Sequence, residues 1–86
     1  MNIFDLSGTA AIITGGNGGL GLAMARGLAR AGAHVSILAR NADKNAAAVE
    51  TLRGLGDGDV IALTCDVTED DDVASAISRT LGAFGR

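Results

Sequence analysis

The sequence has no tyrosine, no tryptophan and no proline, and it holds one cysteine (Cys65), one histidine (His34) and one lysine (Lys44) in 86 residues. Each scarcity excludes a class of chemistry. A lone cysteine cannot close an intrachain disulfide, which fits a reducing compartment, and a cytoplasmic location is expected. One cysteine and one histidine do not make a zinc site. Acids outnumber bases by 10 to 7, for a net charge of −3, so there is no basic patch to neutralise nucleic-acid phosphates in number. No apolar run approaches bilayer-spanning length, and no membrane partner is expected. Residues 1–5 carry no basic region followed by an apolar block, so a cleaved signal peptide is not expected.

What remains is a globular composition, 48% hydrophobic and 20% charged, in a chain long enough for one small domain with a marginal core. There is no repeat, linker or low-complexity tract. The pattern alternates strand, helix, strand, helix, strand, helix, which marks an α/β fold. Strands are predicted over residues 10–14, 34–40 and 60–65. The second and third are nearly all apolar, as in a parallel sheet covered on both faces. A helix is predicted over 19–31, with Leu20, Met24, Gly27, Leu28 and Ala31 on one face and Gly32 as its C-terminal cap. Asn41 can cap a second helix that ends near Gly54, and residues 56–59 form a turn cluster. Thr68 opens a third helix, with Asp71 in a capping-box-like position. Glu69, Asp70, Asp71 and Asp72 suit the positive end of that helix better than a metal cluster. Val73, Ile77, Leu81 and Phe84 line one of its faces. In a right-handed doubly wound sheet, the third helix leads to a fourth strand beside the first. No fourth strand is present, so the first strand is expected to be an open edge, and the sequence reads as the N-terminal part, over residues 1–86, of a single larger domain.

The most specific signal is the run Thr14-Gly15-Gly16-Asn17-Gly18-Gly19-Leu20-Gly21, placed where the first strand turns into the first helix. Glycines there permit positive φ and leave no Cβ in the way. The helix start offers free N–H groups and a positive dipole end to phosphates. A strand, a glycine-rich bend and a helix in this order predict a dinucleotide-binding unit of Rossmann type, here a partial βαβαβα sheet. No Gly-Lys-Ser/Thr follows the glycines, which excludes a phosphate-loop NTPase.

Thr14-Gly15, then three residues, then Gly19-Leu20-Gly21 resembles the cofactor motif of the short-chain dehydrogenase/reductase family. Phe4-Asp5-Leu6-Ser7-Gly8 resembles the segment that commonly precedes it. Cys65-Asp66-Val67-Thr68 resembles the family's Asp-Val after the third strand, and Leu81-Gly82-Ala83-Phe84-Gly85-Arg86 resembles the stretch before its fourth strand. The likeness runs over essentially the whole sequence. It implies that the backbone from Asn17 through Gly18 and Gly19 to Leu20 cradles a pyrophosphate. Gly15 would give the tight turn, Gly19 the close approach and Gly21 the close helix–strand packing. Asp66 would hydrogen-bond the adenine amino group beside the Val67 backbone; read without the resemblance, Asp66 is a solvated or capping carboxylate. It also implies hydride transfer between nicotinamide and a small carbonyl or alcohol substrate, by a tyrosine with a lysine four positions later and a serine. Lacking tyrosine, these 86 residues are expected to be inactive alone, and a full-length relative is expected to be a homo-oligomer.

The end of the second strand carries a further clue. A site of this type that takes NAD usually has an acid there, about twenty residues past the glycines, for the ribose hydroxyls. Here the strand ends Leu38-Ala39-Arg40-Asn41. A guanidinium can grip a 2′-phosphate bidentately and stack on adenine, where a carboxylate would repel the phosphate. Arg40, with Asn41, therefore predicts NADP(H) in preference to NAD(H); the plainer alternative is a solvated arginine after a strand. Many NADP-preferring relatives also carry a basic residue inside the glycine loop, and this sequence has Asn17 and Gly18 there. A truncated, non-catalytic nucleotide-binding module fits the missing tyrosine, whereas a methyltransferase-like site wants an acid where Arg40 stands. His34 reads as a strand-end residue and Cys65 as a packed thiol.

Overall fold

Three short aliphatic runs form the strands, and each is followed by a helix. In the computed structural model, which describes residues 8–15 and 19–85, the order is β1 (Ala10–Thr14), α1 (Gly19–Arg30), β2 (His34–Ala39), α2 (Ala42–Leu52), β3 (Val60–Thr64) and α3 (Asp70–Phe84). The sheet is parallel with β2 in the centre; Ile13 of β1 lies opposite Ile37, and Ile37 lies opposite Ala62 of β3. This is the partial doubly wound Rossmann sheet read from the sequence. Among the described residues β1 is an edge strand.

Period-2 alternation splits the core into two layers. Val35, Ile37 and Ala39 of β2, with Ile13, pack against Ala25 and Ala29 of α1 and Ala48 and Leu52 of α2. Leu38, Leu63 and Cys65 pack against Ala76 of α3 on the opposite face. Ser36 lies on that second face, and its Oγ is 2.8 Å from Oγ1 of Thr80 in α3, both residues being buried.

The strands sit where the sequence puts them, save that β2 and β3 each stop one residue sooner. The helices need more correction. α1 ends at Arg30 and α2 at Leu52. α1 faces the sheet with Ala25 and Ala29, whereas Leu20 and Met24 of the expected face are 78% and 54% exposed. α3 buries Ala76 and Thr80, leaving Ile77 and Leu81 exposed. Thr68 is not the cap of α3: Glu69 holds that position without a side-chain bond, and Thr68 bonds Asp66 instead. Two expected caps are present. Asn41 Oδ1 accepts the Lys44 N–H at 3.0 Å, and Gly32, at φ 98°, follows α1. The glycines of the 56–59 turn have a packing reason as well. A Cβ on Gly58 would overlap the Ala33 carbonyl, and one on Gly56 the Ala29 carbonyl.

Candidate nucleotide-binding cleft

Because the strands are parallel, the residues that follow them gather at one edge of the sheet, where open α/β sheets bind ligands. Gly15 follows β1, and its N–H donates to the Leu38 carbonyl at 2.9 Å, carrying the ladder one residue past the strand. Gly15 and Gly19 have φ of 69° and 55°, and among the described residues a Cβ at either would meet no atom within 4 Å beyond its chain neighbours and the helix's own backbone. The backbone here is bare on its outer side, a surface that an anionic ligand can approach closely. Leu20 is exposed and Gly21 half-buried at the start of α1. Asn17 and Gly18, the middle of the expected cradle, lie outside the described residues.

Beside Gly15 opens a cleft of about 320 Å³ lined by Leu38, Ala39, Arg40, Asn41, Lys44, Cys65 and Val67. Its floor is aliphatic, its flank carries two cations, and among the described residues no carboxylate lines it. Arg40 projects into solvent with its side chain 75% exposed. Asn41 spends its side-chain oxygen on capping α2, and Asn45, buried one turn into that helix, donates to the Ala39 carbonyl at 3.0 Å. That bond ties the start of α2 to the end of β2 and so fixes where Arg40 leaves the sheet.

A second, smaller cleft of about 230 Å³ shares Arg40 and Cys65 and adds Thr64, Asp66 and Asp72. Asp66 is tightly organised. Its Oδ1 accepts the Thr68 hydroxyl at 2.6 Å and the Thr68 N–H at 3.0 Å. Its own N–H donates to Asp72 Oδ2 at 3.2 Å. Its Oδ2 is 3.9 Å from the Arg40 guanidinium. The Thr68 hydroxyl, then the Thr68 amide, hold the Asp66 carboxyl below the ordinary carboxylate range; partial burial opposes them and Arg40 assists. Cys65 is buried, and burial pushes its thiol up, with Asp72 and Asp66 adding to the effect.

The structure thus brings Gly15, Arg40, Asn41 and Val67 to one cleft and Asp66 to its neighbour across Arg40. Sequence reasoning missed Lys44 and Cys65 as lining residues. Lys44 was findable: an N-cap at Asn41 places residue 44 in the first turn of α2, on the same edge as Arg40. His34 stands at the opposite edge of the sheet, where its Nδ1 accepts the Asp59 N–H at 2.9 Å and its ring stacks on Phe84 at 5.1 Å. Among the described residues no group of acids, cysteines and histidines could hold a metal, and no helix is long and apolar enough to cross a membrane.

A model of the family described as short chain dehydrogenase matches residues 9–86. The chain is 37% identical over 81 residues to a 2,5-dichloro-2,5-cyclohexadiene-1,4-diol dehydrogenase of Sphingobium indicum, an alignment that takes in 94% of this chain and 31% of that protein. It superposes on L-sorbose reductase from Gluconobacter frateurii, solved with NADPH and L-sorbose, with a TM-score of 0.87 and 33% identity over 95% of this chain and 31% of that one. A 3-ketoacyl-(acyl-carrier-protein) reductase from Brucella melitensis, solved with NADH, gives a TM-score of 0.85 at 29% identity over 95% of this chain and 32% of that one. The chain therefore spans about a third of the length of the relatives it matches.

Proposed function

Because the chain belongs to the short-chain dehydrogenase family, we propose that it is the cofactor-binding part of an NADP(H)-dependent oxidoreductase acting on a carbonyl or alcohol substrate. Residues 1–86 form the N-terminal part of its single dinucleotide-binding domain. Bound there, the nicotinamide would supply or accept the hydride; the residues of this chain bind and orient the nucleotide. Gly15, Asn17, Gly18, Gly19, Leu20 and Gly21 make the pyrophosphate cradle, which the open space outside Gly15 and Gly19 supports. Arg40 and Asn41 take the ribose end, and Asp66 and the Val67 backbone take the adenine edge. The exposed Ile12, Leu20, Met24, Ile77 and Leu81 are apolar surface that further parts of a larger domain would cover, in keeping with that reading.

The observation that carries the cofactor preference is the charge of the cleft: Arg40 and Lys44 line it and, among the described residues, no acid does. Relatives solved with NADPH and with NADH both occur, so the preference rests on this chain's own side chains. The test is the affinity of the wild type and of Arg40→Asp for NADPH and NADH. The variant is expected to lose about tenfold or more for NADPH, the loss of a charge-assisted phosphate contact, and little for NADH. Equal losses for both cofactors would sink the preference.

A second reading is a non-catalytic nucleotide-binding module, favoured by the absence of any tyrosine from the 86 residues. Both readings expect nucleotide to raise the melting temperature of the chain, because a ligand stabilises only the state that binds it. They expect no turnover from this chain alone. Cofactor-dependent turnover by the purified chain would refute the module reading and would move the acid/base role to a residue other than tyrosine.

A further inference from the structure

Arg40 and Asn41 alone connect β2 to α2, and Asn45 brackets them. Its backbone N–H donates to the Asn41 carbonyl at 2.9 Å, as the helix requires. Its side-chain Nδ2–H donates to the Ala39 carbonyl at 3.0 Å, a bond that no helix requires. The Ala39 oxygen also accepts the Cys65 N–H at 3.0 Å. One carbonyl thus joins the end of β2, the residue after β3 and the start of α2. That carbonyl shares a planar peptide unit with the Arg40 nitrogen. Holding the carbonyl therefore sets the direction in which Arg40 departs. Cys65, on the other side of the junction, directly precedes Asp66, whose carboxylate lies 3.9 Å from the Arg40 guanidinium.

The amide is not needed to satisfy the carbonyl, because the Cys65 N–H already does so. Asn45 is 4% exposed, and burying an amide costs desolvation that an aliphatic side chain escapes. Its buried neighbours on α2 are Ala48 and Leu52, so an aliphatic residue would continue that face. What the amide adds is direction: a second bond on the peptide from which Arg40 springs. We propose that Asn45 is a positioning residue of the cleft, which holds the Ala39–Arg40 peptide so that Arg40 is set in place before the nucleotide binds. The proposal rests on the nucleotide reading above and adds to it a residue that acts on the ligand only through Arg40. A residue fixed in advance has less freedom to lose on binding, and the complex is tighter for it.

The experiment is a double-variant cycle on the full chain, with NADPH affinity read by calorimetry and the backbone order parameter of Arg40 read by nitrogen-15 relaxation without ligand. Arg40→Gln should weaken NADPH about tenfold, the loss of a charge-assisted contact. Asn45→Leu, which keeps the branched shape and removes the donor, should weaken it about fivefold, the scale of one residue's backbone freedom. The double variant should bind no worse than Arg40→Gln alone, because Asn45 acts through Arg40. In the free chain, Asn45→Leu should lower the Arg40 order parameter from the rigid value of about 0.85 toward the flexible range and leave that of Ile37 unchanged. Asn45→Ala, which cannot overfill the site, repeats the cycle if the bulkier leucine disturbs folding as read by circular dichroism. Losses that multiply to about fiftyfold in the double variant, or an unchanged order parameter at Arg40 in a chain that binds NADPH, would overturn the role of Asn45 alone. A wild type that does not bind NADPH would overturn the nucleotide reading, and the role of Asn45 would fall with it.

Discussion

The contact that seats α3 on the sheet makes a prediction whose sign depends on proton direction. Thr80 Oγ1–H donates to the Ala76 carbonyl at 2.8 Å. A hydroxyl has one proton, so in the 2.8 Å contact between the two hydroxyls Ser36 must donate and Thr80 accept. Replacing Thr80 by valine keeps the shape but leaves the Ser36 hydroxyl, at 0% exposure, without an acceptor. That should cost about 2 kcal/mol, the penalty for a buried unsatisfied donor. Ser36→Ala removes the donor and leaves Thr80 still bonded to Ala76, for a loss of about 1 kcal/mol. In the double variant nothing polar is stranded, so its loss should be close to that of Ser36→Ala alone. Urea unfolding followed by far-UV circular dichroism reads this directly. With a slope near 1 kcal/mol/M for a chain this small, the Thr80→Val midpoint should fall by about 2 M and the Ser36→Ala midpoint by about half that. The reasoning is refuted if Thr80→Val is no costlier than Ser36→Ala, or if the two losses simply add.

Other perturbations test other parts of the structure. Gly58→Ala drives a Cβ into the Ala33 carbonyl and should cost about 1–3 kcal/mol, whereas Gly82→Ala, in open space within α3, should stabilise by about 0.5–1 kcal/mol; denaturant midpoints moving the other way would overturn both. Asp66 has its carboxyl held below the ordinary 3.8, so its contribution to stability is complete above that value and is lost as pH falls through the lower folded value. An NMR titration should show this depression in the wild type and a smaller one in Thr68→Val, and a wild-type carboxyl titrating at or above the ordinary value would contradict it. Cys65, buried with its thiol pushed up, should react with a thiol reagent at neutral pH far more slowly in the native chain than in urea; equal rates would mean that the residue is open.

Element order and strand position were legible because both follow from local pattern. Ile12 and Ile13 before a glycine run, and the stretch from Val35 to Ala39, apolar but for Ser36, leave little choice of register. Helix orientation was less legible, for a physical reason. Large apolar residues at helical spacing suggested that Leu20 and Met24 face the core. The sheet instead receives Ala25 and Ala29, since small side chains let a helix lie close on strands already filled by Val35 and Ile37. The same substitution of small for large puts Ala76 and Thr80, rather than Ile77 and Leu81, under α3. Thr68 was misread because a hydroxyl before a helix looks the same in sequence whether it caps the helix or bonds a carboxylate two residues back. Of the candidate site, Arg40 could be named from its position after the second strand and Asp66 only through the family resemblance; their approach to 3.9 Å could not, because it depends on how far each strand runs before its loop turns.

That approach bears on whether Arg40 is free to hold an anion. An exposed ion pair at this separation contributes about 0–1 kcal/mol, less than the 1.5–3 kcal/mol or so of a hydrogen bond to a charged phosphate. Asp66, moreover, has committed Oδ1 to Thr68 and offers Arg40 only Oδ2. Asp66 therefore draws the guanidinium toward its own side of the cleft, the side proposed for adenine, without neutralising it. An acid at position 40 itself would occupy the proposed phosphate position and repel that ligand outright. On the proposed reading, the acid one strand over does the opposite, holding a long and flexible cation near the place where the nucleotide would bind. The entropy cost of ordering Arg40 is then met in part by the fold rather than wholly by binding.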